Sequence, residues 1–236
     1  MRCVISSFLL LLAGVAVAAP TPLAPLLVAV TRNARCPSPA RADLTLVRGK
    51  ETTSAVLLCA GRTWYLETAS GFRALARAHK QIVLRDGHPA RAGVRTQIPN
   101  TDLLLEELAL DGVRLSFPQI NDEGPDGIVV AGDTATPSLY VLFVRTIDSE
   151  RAVVVNHRYY KDDIATLMKD RHDRDFVQLD GHWRPQRIEI EDYVEHSTTT
   201  ITLTWRTMPE LPQPLFTPAG LTRPSGLTLP SHPSPS

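Results

Sequence analysis

Side chains suited to catalysis or metal binding are densest between residues 157 and 182. His172, Asp173, Asp175, Asp180 and His182 lie close together, and His157 sits on a neighbouring predicted strand. Imidazoles and carboxylates are the usual donors to zinc and similar cations. The spacing fits neither His-x-x-x-His nor His-Glu-x-x-His. Arg171 and Arg174 are interleaved and repel a divalent cation, so salt-bridged strand edges and turns are expected, and no metal. Glu106 and Glu107 are the other carboxylate pair. Neighbours on a helix point about 100° apart, so the two cannot act together as acid and base; a solvated helix face is expected. No Gly-x-Ser-x-Gly elbow occurs, and no glycine-rich phosphate loop. No catalytic residue and no cofactor are assigned.

The cysteines are Cys3, Cys36 and Cys59. Arg2, an apolar run over residues 4–17 and Ala16-Val17-Ala18 read as a cleaved secretion signal over residues 1–18. The run is too short to favour a membrane span. Cys3 precedes it, which excludes a lipobox cysteine. Export leads to an oxidising compartment, where Cys36 and Cys59 form either one disulfide or two buried thiols. Charge is balanced at 25 basic and 25 acidic residues, so no excess exists to grip nucleic acid or an anionic membrane. At 43% hydrophobic, the chain can bury the core of one domain.

The elements that must position any site are strands. In residues 198–205, Thr199, Ile201, Leu203 and Trp205 alternate with Thr198, Thr200, Thr202 and Thr204. Such period-two alternation with β-branched residues predicts a sheet with one apolar and one polar face. Further strands are predicted over residues 44–47, 53–59, 63–68, 81–84, 128–131, 139–147, 152–160, 164–170, 175–179 and 186–194. Asp86-Gly87 and Asp180-Gly181 are hairpin turns first. Residues 71–78 fit a basic strand or a short amphipathic helix, and 120–127 read as a turn cluster. Residues 26–30 suit a short helix on the sheet or an edge segment. The best helix spans 102–110, with Thr101 or Asp102 as N-cap and Leu104, Leu105 and Leu108 as its apolar stripe. Absence of βαβ alternation argues against a nucleotide-binding α/β fold. The expected class is mainly β (α+β): an antiparallel up-and-down sheet with one or two short helices. Its boundaries are signal 1–18, Pro-rich segment 19–39, domain 40–222 and disordered tail 223–236.

One apolar face of this sheet is expected to carry Trp64, Leu66, Leu142, Val144, Val153, Val155, Ile188, Ile190, Ile201, Leu203 and Trp205. These side chains either line a ligand cavity or fill the core of a small closed barrel.

Several motifs resemble the outer-membrane lipoprotein-sorting family, the LolA-like proteins of the bacterial envelope. They are Asp180-Gly181, Trp183 and Pro185, the threonine run 198–204, and Phe216-Thr217 with Leu221. Upstream, Ile98-Pro99-Asn100-Thr101-Asp102-Leu103 before Glu106-Glu107-Leu108 resembles the family's loop into a Thr-Asp-Leu…Glu-Leu segment. The resemblance covers residues 98–221 and is most specific over 175–221. It implies a strongly curved half-barrel whose concave apolar face holds acyl chains under a helical lid, placing Leu104 and Leu108 beside the residues above. It also implies a periplasmic, monomeric, non-catalytic carrier of a lipid or lipoprotein acyl group towards the outer membrane, served by an inner-membrane transporter or an outer-membrane acceptor. The chain departs from the pattern in its Pro-rich lead, where no long N-terminal helix is read. Two other readings remain: an interaction module of the same fold with a filled core, and an enzyme, whose sign would be polar side chains facing into the concavity.

Overall fold

The computed structural model describes residues 22–77, 80–108, 115–134, 138–161 and 166–230. The predicted signal, the end of the predicted helix 102–110, the start of the strand predicted from 164 and tail residues 231–236 lie outside them. The first half of the sheet is β1 (Cys36–Arg48), β2 (Glu51–Gly61), β3 (Thr63–Thr68), β4 (Arg73–Arg77), β5 (Lys80–Arg85) and β6 (His88–Arg91). The second half is β7 (Leu115–Gly124), β8 (Gly127–Thr134), β9 (Leu142–Asp148), β10 (Val153–Tyr160), β11 (Leu167–Leu179), β12 (His182–Asp192) and β13 (Ser197–Thr207). The threonine code is realised in β13: Thr199, Ile201 and Leu203 are buried while Thr198, Thr202 and Thr204 are exposed.

Among the described residues, thirteen strands form one antiparallel sheet in the order β6-β5-β4-β3-β2-β1-β13-β12-β11-β10-β9-β8-β7. It is strongly curved and does not close into a barrel. Each half is an up-and-down meander, and the halves join where β1 pairs with β13. Asp180 and Gly181 both take positive φ in the β11–β12 hairpin, the combination a two-residue primed turn requires. Pro185 is tolerated in β12 because the β12–β13 ladder begins only at Arg187.

Helix α1 (Leu23–Ala34) replaces most of the expected Pro-rich lead. Leu23, Leu26, Leu27 and Val30 give it one apolar stripe, packed on Ile128, Val130 and Ile147. Pro22 is its N-cap and Pro25 falls in its first turn, where proline removes no helical hydrogen bond. The turn cluster predicted at 120–127 is mostly strand: β7 runs to Gly124, and only residues 125–126 turn. Within residues 71–78, Arg73–Arg77 form strand β4. Residues 223–230 of the expected tail lie within the described residues. Leu227 and Leu229 pack with Leu211, Leu215, Phe216 and Leu221 over the convex side of β2–β5, and Arg41 donates to the Thr228 carbonyl.

Cys36 and Cys59 are joined by a disulfide, Cα–Cα 6.0 Å, across the β1–β2 irregularity. With a sequence separation of 23, loss of this link is expected to cost about 3 kcal/mol through the unfolded state. Cys36→Ser/Cys59→Ser should therefore lower the urea midpoint and, because the unfolded chain expands, raise the slope somewhat, measured against the oxidised protein.

Candidate functional site: the concave face

Register places the side chains of the concave face in rows across the strands. One row is Val130, Arg145, His157, Arg171, Ile190, Thr199. The next holds Asp173, Ile188, Ile201 and Leu46. A third holds Phe143, Tyr159, Lys169, Asp192 and Ser197. The face therefore changes character along the sheet. It is aliphatic from β12 through β1 to β5 and charged and aromatic over β9–β11. In the aliphatic half, Ala40, Ala42, Ala55, Ala74 and Ala76 alternate with Leu44, Leu46, Leu57 and Leu66, leaving a grooved floor.

Residues 98–108 lie on that floor. Ile98, Leu103, Leu105 and Leu108 join its cluster and are at most 3% exposed. Their segment is held in shape from within. The Ile98 amide donates to the Leu103 carbonyl at 2.9 Å and the Leu105 amide to the Thr96 carbonyl at 2.8 Å. Thr101 Oγ1 donates to the Ile98 carbonyl, and Asn100 takes φ +60° at the tight turn. Among the described residues, no backbone–backbone hydrogen bond joins 96–108 to a strand.

Side chains fasten the segment instead, at two points. Asp102 is fully buried; its carboxylate accepts from Ser197 Oγ (2.7 Å) and Thr199 Oγ1 (2.8 Å) and pairs with Arg48 Nε at 2.8 Å. Glu107, in the single-turn helix α2 (Leu105–Leu108), accepts from Tyr140 Oη and from the Leu104 amide at 2.6 Å. Lys169 Nζ lies 3.2 Å from Glu107 and 3.4 Å from Asp192, and donates to the Asp102 carbonyl. Arg171 donates to the Glu107 carbonyl. Burial raises the Glu107 carboxyl above its usual range even with Lys169 beside it. Burial and the same carboxylate raise the Tyr140 phenol, which stays a donor.

The expected solvated face for Glu106 and Glu107 is thus overturned. Glu107 is 3% exposed because Tyr140 and Lys169, distant in sequence, close over it. Glu106 is half-buried, accepts from Ser138 Oγ at 3.0 Å, and is pushed up to about 7, chiefly by burial. Asp102 does not cap a helix, because its carboxylate is committed to β1 and β13.

The charged half of the face lies beside α1, with a cavity of about 100 Å³ between them. Leu27 and Val30 of α1, Phe176 and Trp183 give it apolar walls; Arg145, His157, Arg171, Asp173 and Arg184 are its charged or titratable lining. Asn33 ties α1 down, donating to the Arg151 carbonyl at 2.8 Å and accepting from the Trp183 amide at 2.9 Å. Arg171 makes a bidentate pair with Asp173, at 2.6 and 2.7 Å. Burial, then Arg171 and Arg145, push His157 well below its ordinary value, so it is neutral and a weak base. These are the polar side chains that an enzyme reading looks for; their character is electrostatic. Among the described residues, no His, Cys, Asp and Glu group is arranged to hold a metal ion.

Of the residues expected to line a cavity, Trp64, Leu66, Ile188, Ile190, Ile201, Leu203 and Trp205 come together in the aliphatic half, and Leu108 packs on them as part of the covering segment. Leu104 packs with Tyr140, Phe143 and Tyr159 on the charged half. Val153 lines the cavity beside α1, and Val155 sits in the β10 bulge between Val154 and Asn156. Leu142 and Val144 are a correction: they alternate with Phe143 and Arg145 and face the convex side. Arg184, which sequence reasoning did not single out, shares the parity of Ile188 and Ile190 along β12, and that parity was its only signal.

The fold is LolA-like. An outer membrane lipoprotein-sorting protein domain, so assigned, from Vibrio parahaemolyticus superposes with TM-score 0.69 at 14% identity, over 84% of this chain and 97% of its own. A LolA superfamily protein from Nitrosomonas europaea gives 0.65 at 15%, over 84% and 98%. A DUF1329 family protein from Desulfovibrio piger gives 0.64 at 18%, over 84% and 96%. A family model described as an uncharacterized protein matches residues 127–223. Comparison with curated proteins gives no match. Among the described residues, no helix is long and apolar enough to cross a membrane.

Glu106 sets a pH dependence with a definite sign. Its folded value near 7 exceeds the ordinary 4.5, so the folded state holds more protons between those limits. Stability must therefore fall as pH rises from about 4.5 to about 7. Glu106→Gln keeps an acceptor for Ser138 without the charge. Its unfolding free energy should be flatter across that window and higher than the parent's at pH 8, by roughly 1–3 kcal/mol, in urea titrations at both ends.

Proposed function

We propose that the protein is a periplasmic, non-catalytic carrier that holds the acyl part of a lipid or lipoprotein on its concave face and moves it towards the outer membrane. The observation that carries this reading is the cover of that face. A grooved aliphatic floor lies beneath a self-contained segment held to the sheet by side chains alone, so the segment can leave without breaking the sheet. Magnitudes permit the exchange. Withdrawing Ile98, Leu103, Leu104, Leu105 and Leu108 from their contacts costs roughly 10 kcal/mol, at about 2 kcal/mol each. An acyl chain of about sixteen carbons recovers roughly 12 kcal/mol at ~0.8 kcal/mol per methylene. The Cys36–Cys59 disulfide and the signal-like residues 1–18 support export into an oxidising envelope compartment. A membrane transporter would load the carrier and an outer-membrane acceptor would empty it. One other reading starts from the same buried cluster: an interaction module whose core is permanently filled by 98–108.

Releasing the Asp102 fastening separates the two. Asp102→Ala removes three side-chain contacts without altering the floor. A carrier with this substitution should take up a fluorescent sixteen-carbon fatty acid at least tenfold more tightly than the parent. Leu215→Ala, which loosens only the convex cluster, should leave uptake unchanged. No uptake by either the parent or Asp102→Ala would point to the filled-core module.

A further inference from the structure

Arg184 is 2% exposed and lines the cavity beside α1, yet it meets no carboxylate among the described residues. Its Nη atoms donate to backbone carbonyls only: Asn33 (2.5 Å), Trp183 (3.1 Å) and Arg35. Nε is buried and has no hydrogen-bond partner. The guanidinium also lies over the Trp205 ring, 5.9 Å from its centroid. A buried cation in such a setting is costly, and burial lowers its pKa to about 10, which still leaves it charged at neutral pH. The nearby Asp173 offers little relief, since Arg171 takes both of its oxygens. The cavity thus holds positive charge in a largely apolar wall.

Position gives this charge a meaning. Arg171 and Asp173 are the direct cross-strand neighbours of Ile190 and Ile188, and Trp205 borders the same aliphatic cluster. The cavity therefore opens where the charged half of the concave face meets the apolar half. Its volume of about 100 Å³ suits a small anionic group with its first methylenes, not a whole acyl chain.

We infer that the cavity beside α1 binds a carboxylate or phosphate group at the head of an amphiphile, with Arg184 as its ligand and the tail running onto the aliphatic floor. The placement of the tail rests on the carrier reading; the anion site does not. Cation and groove together select anionic amphiphiles over neutral ones of the same length.

The test compares cis-parinaric acid with the corresponding alcohol, which has the same tail and no charge, and adds inorganic phosphate as a free anion. All three are titrated into the purified protein at pH 8. The acid should bind at least tenfold more tightly than the alcohol. Arg184→Met should erase that preference; Arg184→Lys, which keeps the charge, should retain part of it. Acid and alcohol binding the parent equally would overturn the anion site while the carrier reading stands, and this comparison needs no variant. Phosphate binding that Arg184→Met abolishes, without uptake of either amphiphile, would support the anion site for a free anion and remove the carrier. No binding of any of the three would overturn both.

Discussion

Everything on the concave face follows from the route taken between β6 and β7. These strands are the two edges of a thirteen-stranded sheet, so residues 92–114 must connect opposite ends of it. The strand spacing of about 4.8 Å makes the path along the curved surface roughly 58 Å. A chain of that length spans at most about 80 Å when fully extended, so little slack remains for folding back. Crossing inside the curve shortens the path and brings polar backbone into an apolar trough. Burying those groups is tolerable only if each finds a partner. Residues 96–105 largely partner themselves, and side chains of the sheet serve groups that remain: Thr199 Oγ1 accepts from the Asp102 amide, Lys169 donates to the Asp102 carbonyl and Arg171 to the Glu107 carbonyl. The cover is therefore a unit with its own internal order and a few polar fastenings, unlike a strand, which would share a full ladder with its neighbours.

The same arrangement explains the division of the face into halves. Fastenings need charged residues: those on β9–β11 sit where Glu107 arrives, and Arg48 on β1 meets Asp102. Glu107 meets Lys169 and Tyr140 there, and Arg171 turns towards the segment while holding Asp173. The remaining strands are left free to be aliphatic. Helix α1 closes the charged half, fixed by Asn33 and by carbonyls that Arg184 caps. An amphiphile laid along this face would meet charge at one end and aliphatic side chains at the other.

Much of the sheet was legible in the sequence, because strand alternation and turn chemistry are local. The β13 code, both Asp-Gly turns and the hairpins around β2 and β3 needed only neighbouring residues. What failed was information carried by distant partners. Asn121, Asp122, Glu123 and Gly124 look like a loop, yet they are the end of an edge strand, where polar residues are tolerated. The helix alternative for 26–30 is realised in α1, but the prolines at 22 and 25 hid its length, although both stand where a helix admits them. Leu142 and Val144 belong to a nearly continuous apolar run, whose parity cannot be assigned without knowing which neighbours it faces. Glu107 gave no hint of burial, since the groups that bury it lie 33 and 62 residues away.

Hydrogen exchange read by mass spectrometry, with and without a saturating sixteen-carbon fatty acid, tests the displaceable cover most directly. The cover predicts faster exchange of amides in residues 96–108 when the acid is bound, together with slower exchange in β1, β12 and β13. Unchanged exchange in 96–108 with the acid bound would contradict it, because the segment would then be a permanent part of the core.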